Sequence, residues 1–243
     1  RCGSNLAIRS VARTSETESR TSTSSRRIAA ASRASCGARA PFAVVVSQLA
    51  RLSHSLARPA GRAVICHTGS LDTLVAELAA RKLDLVISPS ALPANAGLRA
   101  FSHLLGECEV TFFAAPALAR RLRKGFPRSL DQAPFLLPTA RSPNRRVIDT
   151  WFLEQGITPR IAGEFDDSSL VKSFVQGGAG VFAAPAAIDA EIMSQYKVQA
   201  IGRHEALKAR FYVLSMEQRI RHPAVMAITD GARTNLFGGK AAA

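Results

Sequence analysis

Hydroxyl-bearing side chains follow two predicted strands, at positions where open α/β sheets bind ligands. Thr68 and Ser70 come directly after one predicted strand, and Ser88 and Ser90 close the next one. The carboxyl ends of strands in such sheets meet at a crevice that binds small molecules. Each residue taken alone is also typical of a helix cap or a turn. Together they predict one wall of a ligand-binding cleft.

A second polar group predicts the opposite wall. Thr139, Arg141, Ser142 and Asn144 lie in the turn between a short apolar strand and an amphipathic helix. An arginine in this position could bind a carboxylate through two parallel hydrogen bonds. We therefore expect a small ligand to lie between the two groups.

Asp166 and Ser168 precede a helix predicted over 167–176, and they allow three interpretations. They could simply cap the helix, which is the common role of such residues. The free N–H groups of a helix start also form an anion site. Alternatively, the carboxylate oxygens could bind a hard cation such as sodium.

Catalytic and cofactor motifs find little support. The segment that starts at Gly178 fits the dinucleotide pattern G-x-G-x-x-A, but it follows a helix and precedes a strand, which is the wrong order for that fold. The sequence has no G-x-S-x-G or H-E-x-x-H motif, and its five histidines are dispersed. We expect neither an enzyme nor a cofactor.

Four cysteines lie 30 or more residues apart, without the short spacings of a metal site. Reduced thiols in a cytosolic protein fit this pattern best, and we expect no metal ion. The longest apolar runs are far shorter than the roughly 18 residues that span a bilayer, so we expect no membrane partner.

Short apolar strands alternate with amphipathic helices from Pro41 onwards, which predicts an α/β protein with mostly parallel strands. The 243 residues are 47% apolar, enough for one large domain or two small lobes. Predicted helices cover 43–57, 71–82, 116–124, 143–155, 167–176, 186–193 and 222–234. Predicted strands cover 62–67, 83–88, 135–137, 160–165, 180–185, 198–203 and 209–217, with a strand pair over 98–116.

Residues 1–40 differ in composition from the rest of the chain. They contain 9 Ser, 4 Thr and 8 Arg against 2 Glu, so they hold a net charge of +6 out of the total of +14. Their apolar residues show no helical or strand period. We expect a disordered N-terminal arm, and we leave open whether it is a nucleic-acid-binding tail, a targeting segment, or the altered or truncated remnant of a longer chain.

Two stretches carry a family resemblance. The first is LDTLVAELAARK followed by LDLVIS (71–88), and the second is EFDDSSLVKSFVQGGAGVFAAP (164–185). In this order over 62–234, the segments resemble the effector-binding region of LysR-type transcriptional regulators. That resemblance implies a two-lobed fold of the periplasmic-binding-protein type II class. Lobe one would comprise about 41–95 and 207–234, lobe two about 106–200, and 235–243 would form a flexible tail.

The resemblance also implies the function and the partners. The chain would be a cytoplasmic ligand-sensing domain with a small effector or a sodium ion in its inter-lobe cleft. It would act as a dimer or tetramer, with Leu74 and Leu78 of one copy against Val225 and Ile228 of the other. Residues 1–40 show no helix-turn-helix pattern, so promoter DNA would be bound only through a DNA-binding domain absent from this chain.

Three further stretches match one branch of that family more narrowly. They are LLGECEVTFFAAPALARRLR (104–123), RRVIDTWFLEQGITPRIAGEFDDS (145–168) and FYVLSMEQRIRHPAVMAIT (211–229). They resemble the LysR-type proteins that activate sodium/proton antiporter genes, which implies a response to sodium and alkaline pH. The alternative is a periplasmic-type solute-binding protein for a small anion, which shares the two-lobed fold. The basic charge and the lack of a recognisable signal peptide favour the regulator.

Overall fold

The helices and strands come from a computed structural model that describes residues 5–12, 62–92, 100–140, 142–165, 170–218 and 223–237. The strands are β1 (Asn5–Ala12), β2 (Arg62–Gly69), β3 (Leu85–Ser88), β4 (Phe101–Ala114), β5 (Pro134–Pro138), β6 (Arg160–Phe165), β7 (Phe182–Pro185) and β8 (Gln199–Ser215). The α-helices are α1 (Leu71–Ala79), α2 (Pro116–Arg123), α3 (Pro143–Gln155), α4 (Val171–Gln176), α5 (Asp189–Tyr196) and α6 (Pro223–Leu236). None of these helices combines the length and the apolar character needed to cross a membrane.

Strands β4 and β8 pair with each other along almost their whole length. The ladder runs from Phe101 beside Ser215 to Ala114 beside Gln199. Each is one continuous strand, so the strand pair predicted over 98–116 and the two separate strands predicted over 198–217 are wrong. The reason is that β-bulges absorb the irregular sequence without ending the ladder, and three register shifts occur along it.

The main sheet has the strand order β2-β1-β3-β8-β4-β7, and all its neighbouring pairs are antiparallel. The expectation of mostly parallel strands is therefore wrong for this sheet. The chain leaves the β2–β3 region along β4 and returns along β8, so these two strands must run in opposite directions. Parallel pairing occurs between β5 and β6 and at the bridge from Phe135 to Val181.

Strand β1 falls inside the segment expected to be disordered. Its backbone pairs with β2 on one side and with β3 on the other. The structure therefore differs from the predicted arm over Asn5–Ala12, where Leu6 and Ile8 alternate with other residues in the strand period. The pattern is too short to stand out within the Arg/Ser-rich residues 1–40, so the strand was not predicted. Residues 13–40 and the helix predicted over 43–57 lie outside the described residues.

Helix α1 packs onto the sheet in lobe one. Leu74 and Leu78 are 3% and 1% exposed and contact Val86 and Leu214, on β3 and β8. The proposed role of these two leucines in a dimer interface is therefore wrong, because they are already buried within their own copy. The side chains of Val225 and Ile228 lie outside the described residues.

Aromatic side chains fill the core of lobe two. Phe112 on β4 lies 4.9 Å from Trp151 on α3, and Phe135 on β5 meets Phe152 edge-to-face at 4.9 Å, both between ring centroids. Trp151 and Phe152 are adjacent in the sequence, and both are buried. They fix α3 against β4 and β5, and the sequence predicted the bounds of this helix correctly at 143–155.

Helix boundaries near the end of lobe two shift by a few residues. The helix predicted over 186–193 is a 3₁₀ turn over Ala186–Ile188 followed by α5. The helix predicted over 167–176 is observed from Val171. The residues 166–169 before it lie outside the described residues.

We predict that Gly106→Ala destabilises the fold by about 1–3 kcal/mol. A Cβ at this position would lie 2.4 Å from the ring of Phe237, which packs against Phe211 on β8. The aromatic ring would have to leave its position, and urea unfolding measures the cost. Gly177→Ala is the control, because its new Cβ would meet nothing closer than 3.5 Å. Equal stability of the two variants would contradict the prediction.

Candidate functional site

A cavity of about 480 Å³ lies between the two lobes, beside the paired strands β4 and β8 that connect them. We call this strand pair the crossover. Lobe one lines it through Ser90 and Ala91 after β3, and lobe two through Ser142 at the start of α3 and Phe165 at the end of β6. Residues 206–212 of β8 also line it. Its volume falls within the usual range of about 300–1,000 Å³ for small-molecule sites. The cavity is therefore the candidate ligand site.

Three of the residues predicted for the two walls line the cavity, one from lobe one and two from lobe two. Ser90 and Ser142, both half-buried, line the cavity together with Asn144. Ser142 is the N-cap residue of α3, and its side chain makes no capping hydrogen bond. Its hydroxyl is thus not engaged in a cap and can serve a ligand. The structure places a predicted hydroxyl residue from each lobe at one cavity, and their binding of a ligand stays a prediction.

Three other predicted site residues lie outside the cavity lining. Ser70 is exposed and caps α1, where its Oγ accepts a hydrogen bond from the Thr73 N–H at 3.3 Å. Ser88 is fully buried, and its Oγ accepts the N–H of Ser90 at 3.1 Å. Thr139 donates its N–H to the Phe165 carbonyl at 3.2 Å, where β5 and β6 end. The structure thus gives these three residues roles in a cap, a turn and a strand end, and their binding of a ligand stays a prediction.

The remaining predicted site residues are not tested by the structure. The side chain of Thr68 lies outside the described residues, although its backbone forms part of β2. Arg141, Asp166 and Ser168 lie outside the described residues altogether.

Two charged residues on β8 were not predicted from the sequence. Lys208 and Arg210, two positions apart on the strand, line the cavity together with Tyr212. A signal was present, because Glu107 and Glu109 on β4 show the same two-residue spacing with opposite charge. Recognising it required knowing that β4 and β8 pair in the register that sets Glu107 beside Arg210 and Glu109 beside Lys208.

These four charges form two ion pairs across the strands. The Arg210 Nε donates to Glu107 Oε2 at 3.2 Å, and this hydrogen bond raises the pKa of the guanidinium. The Lys208 Nζ lies 3.8 Å from Glu109 Oε1. All four side chains are at least a third exposed, so each pair contributes little to stability. The two pairs place two positive side chains on β8 directly beside two negative side chains on β4.

Arg145 holds the lobe-two wall of the cavity together. Its Nε donates to both carboxylate oxygens of Asp149, at 2.8 and 2.9 Å. Its Nη1 donates to the Pro138 carbonyl at 2.8 Å and to Glu164 Oε1. Burial opposes the charge, but the bonds to Glu164 and Asp149 outweigh it and raise the pKa of Arg145. One guanidinium thus joins α3 to the ends of β5 and β6.

Cys108 lies half-buried on β4, between the two glutamates of the crossover. Burial raises the pKa of its thiol, against the opposing effect of backbone hydrogen bonds from Ala187 and Ala186. Among the residues that the structure describes, no group of three or more His, Cys, Asp or Glu side chains could hold a metal ion. The cavity, which is lined from both lobes, is suited to binding a small molecule.

Comparisons with known proteins agree with this geometry. The family described as LysR substrate binding domain matches residues 47–236. Transcriptional activator protein NhaR from Escherichia coli (strain K12) is 31% identical over 172 residues, which are 71% of this chain and 56% of NhaR. NhaR from Shigella flexneri gives the same figures. The chain thus spans somewhat more than half the length of these curated relatives.

Solved structures support the fold. A protein from Pseudomonas aeruginosa assigned to the LysR family of transcriptional regulators superposes with a TM-score of 0.53 and 18% identity. The match covers 69% of this chain and 59% of that protein. Together with the family match, this likeness confirms the predicted α/β, periplasmic-binding-protein type II-like fold class.

We predict that Arg145→Lys lowers the free energy of unfolding by about 1–3 kcal/mol, because the lysine cannot replace the planar guanidinium that bonds Asp149, Glu164 and the Pro138 carbonyl together. Arg146→Lys, on the exposed neighbouring position of α3, should change it by less than about 0.5 kcal/mol. Guanidinium chloride unfolding measures both. A similar effect of the two substitutions would show that Arg145 does not organise this wall.

Cys108 gives a pH-dependent prediction. Its pKa is raised in the folded chain, so the unfolded thiol ionises first as the pH rises. The stability gained from the neutral thiol is then complete below the unfolded pKa of about 8.5 and is lost above it. Denaturant unfolding of wild type and Cys108→Ala at pH 8 and pH 10 should show a smaller stability advantage of wild type at pH 10. An equal or larger advantage at pH 10 would contradict this.

Proposed function

The chain belongs to the LysR substrate-binding domain family, and from this premise we propose that it is the ligand-sensing regulatory part of a transcriptional activator. The cavity between the lobes is the observation that carries the proposal. Ser90 comes from lobe one, Ser142 from lobe two, and β8 connects them at the back. A ligand that contacts all three can favour one arrangement of the lobes over another.

The proposed mechanism is a population shift. A ligand changes the equilibrium between lobe arrangements only by its difference in affinity for them. Because β4 and β8 are the strands that link the lobes, a change in closure angle requires a change at their bulges. A dimer or tetramer of the regulator would transmit this change to its DNA-binding domains, which would bind the promoter in the cytoplasm.

We further propose that the whole regulator activates a sodium/proton antiporter gene in response to sodium and alkaline pH. The 31% identity to NhaR supports this narrower function. The three sequence stretches that resemble the antiporter-activating branch support it as well. In this proposal, oxygen atoms of Asp166 and Ser168 are the candidate sodium ligands. The family match favours a regulator over the solute-binding protein considered as the alternative.

We expect sodium to raise the melting temperature of the chain above its value in potassium at equal ionic strength, and more so at pH 8.5 than at pH 7. A ligand that binds only the folded state stabilises it by RT ln(1 + [L]/Kd), which is about 2.7 kcal/mol at one hundred times Kd. Asp166→Ala and Ser168→Ala should abolish the difference while costing only about 1 kcal/mol each as lost caps. Thermal shift scans measure both effects.

A matched pair of variants tests whether the response involves the cavity. Ala91→Trp places a large side chain at an exposed position of the cavity lining, whereas Ala117→Trp places it on the exposed surface of α2. The sodium response should be lost in the first and kept in the second. Identical wild-type curves in sodium and potassium at both pH values would remove the support for sodium sensing.

A further inference from the structure

We propose that a basic patch on lobe two binds the phosphate backbone of duplex DNA. The patch comprises five exposed cations at the end of α2 and in the turn that follows it: Arg120, Arg121, Arg123, Lys124 and Arg128. None of the five lines the cavity, so the inference goes beyond the proposed function and assigns a partner to a different surface. It also differs from the sequence-based expectation that promoter DNA is bound only through a separate DNA-binding domain.

Positive charge is concentrated in this segment. Residues 115–130 contain the five basic residues and neither Asp nor Glu. Of the net charge of +8 outside residues 1–40, +5 falls within this segment. Among the residues that the structure describes, none of the five cations forms an ion pair. The patch therefore produces a positive potential that attracts a polyanion.

Helix α2 separates an apolar face from a cationic face. Ala119 and Leu122 are buried and pack the helix onto the core of lobe two. At 3.6 residues per turn, Arg120, Arg121 and Lys124 then lie on the opposite side, and all three are exposed. Side chains four positions apart on a helix are neighbours. The solvent-facing side of α2 is thus a row of positive charges.

Hydrogen bonds hold the end of the helix and the following turn in place. The Arg123 Nη2 donates to the Ala200 carbonyl on β8 at 2.7 Å. The Ser129 Oγ donates to the Leu122 carbonyl, which ties the turn that contains Arg128 to the last turn of α2. The backbone that carries the cations is therefore ordered before a partner binds, which lowers the entropy cost of binding.

The residue types favour phosphate as the partner group. Cations at a helix C-terminus are also stabilised by the helix dipole, and this effect is limited to the last turn. It does not account for Arg128, which lies beyond the helix. Four of the five cations are arginines, whose planar guanidinium binds phosphate through two parallel hydrogen bonds, whereas lysine acts as a point charge.

The charge density of the partner favours DNA over an acidic protein. Duplex DNA has one negative charge for about every 1.7 Å of its axis, so a row of neighbouring cations can contact successive phosphates. In the proposed function the chain is part of a transcriptional activator, and duplex DNA is then the polyanion within its reach. Contacts to phosphates would position lobe two on the duplex without reading its sequence.

The experiment measures binding of the full chain to fluorescently labelled DNA by anisotropy. Two duplexes of equal length and unrelated sequence are titrated between about 50 and 200 mM potassium chloride. We expect similar Kd values for the two duplexes, because phosphate contacts carry no sequence information. The logarithm of the binding constant should fall linearly with the logarithm of the salt concentration.

Paired variants assign the binding to the patch. Arg120→Gln/Arg121→Gln should weaken binding about tenfold or more and reduce the salt slope by about two, because two phosphate contacts are lost. Arg81→Gln/Lys82→Gln is the matched control, since it removes two adjacent exposed cations after α1 in lobe one and should leave the slope unchanged. Arg120→Lys/Arg121→Lys keeps the charge and should keep the slope. Residues 1–40 are present in every variant, so their own contribution to binding cancels.

Three results would overturn the proposal. The first is no binding of either duplex at the lowest salt concentration, and the second is an equal loss of affinity and slope in the two glutamine double variants. The third is displacement of the labelled DNA by poly-L-glutamate as efficiently as by unlabelled duplex at equal charge concentration, which would indicate an acidic protein as the partner. None of them affects the sodium scan, so failure of this proposal and failure of the proposed function are distinguishable.

Discussion

The antiparallel pairing of β4 with β8 is the constraint on which the rest of the structure depends. Both lobes are built on this ladder, since β3 pairs with one end of β8 and β7 with the distal part of β4. The ladder also forms the back of the cavity and places its cationic residues there. Gly106 lies within it and leaves room for Phe237 to pack across the strands. The fold and the candidate site therefore share one element.

Lobe two depends on a second, more local interaction. Arg145 joins the start of α3 to the ends of β5 and β6, so the hydroxyl of Ser142 and the ring of Phe165 keep their places in the cavity wall. The aromatic core around Trp151 fixes the other side of the same helix. A polar clamp and an apolar core thus position one helix from opposite faces, which is what a preorganised binding wall needs.

Local patterns in the sequence predicted most elements of the fold. The amphipathic pattern gave α3 its correct bounds, and a cap was among the roles that the sequence allowed for Ser70, which caps α1. Long-range pairing could not be predicted, because nothing local shows that 101–114 and 199–215 lie side by side. Ser90 and Ser142 could be predicted because each lies at the end of a local element. Lys208 and Arg210 could not, because their position at the cavity follows from the pairing of β8 with β4.

The pairing of β3 with β8 also has a consequence for the order of synthesis. Val86 lies beside Leu214, so lobe one is assembled from two parts of the chain with lobe two inserted between them. At roughly 5–20 residues per second, a ribosome needs about 6–25 s to bring the second partner out after the first. Lobe two can begin to collapse during that interval, while the edge of β3 that later pairs with β8 stays exposed. Chaperone binding in the cell would therefore be expected at the nascent lobe one rather than at lobe two.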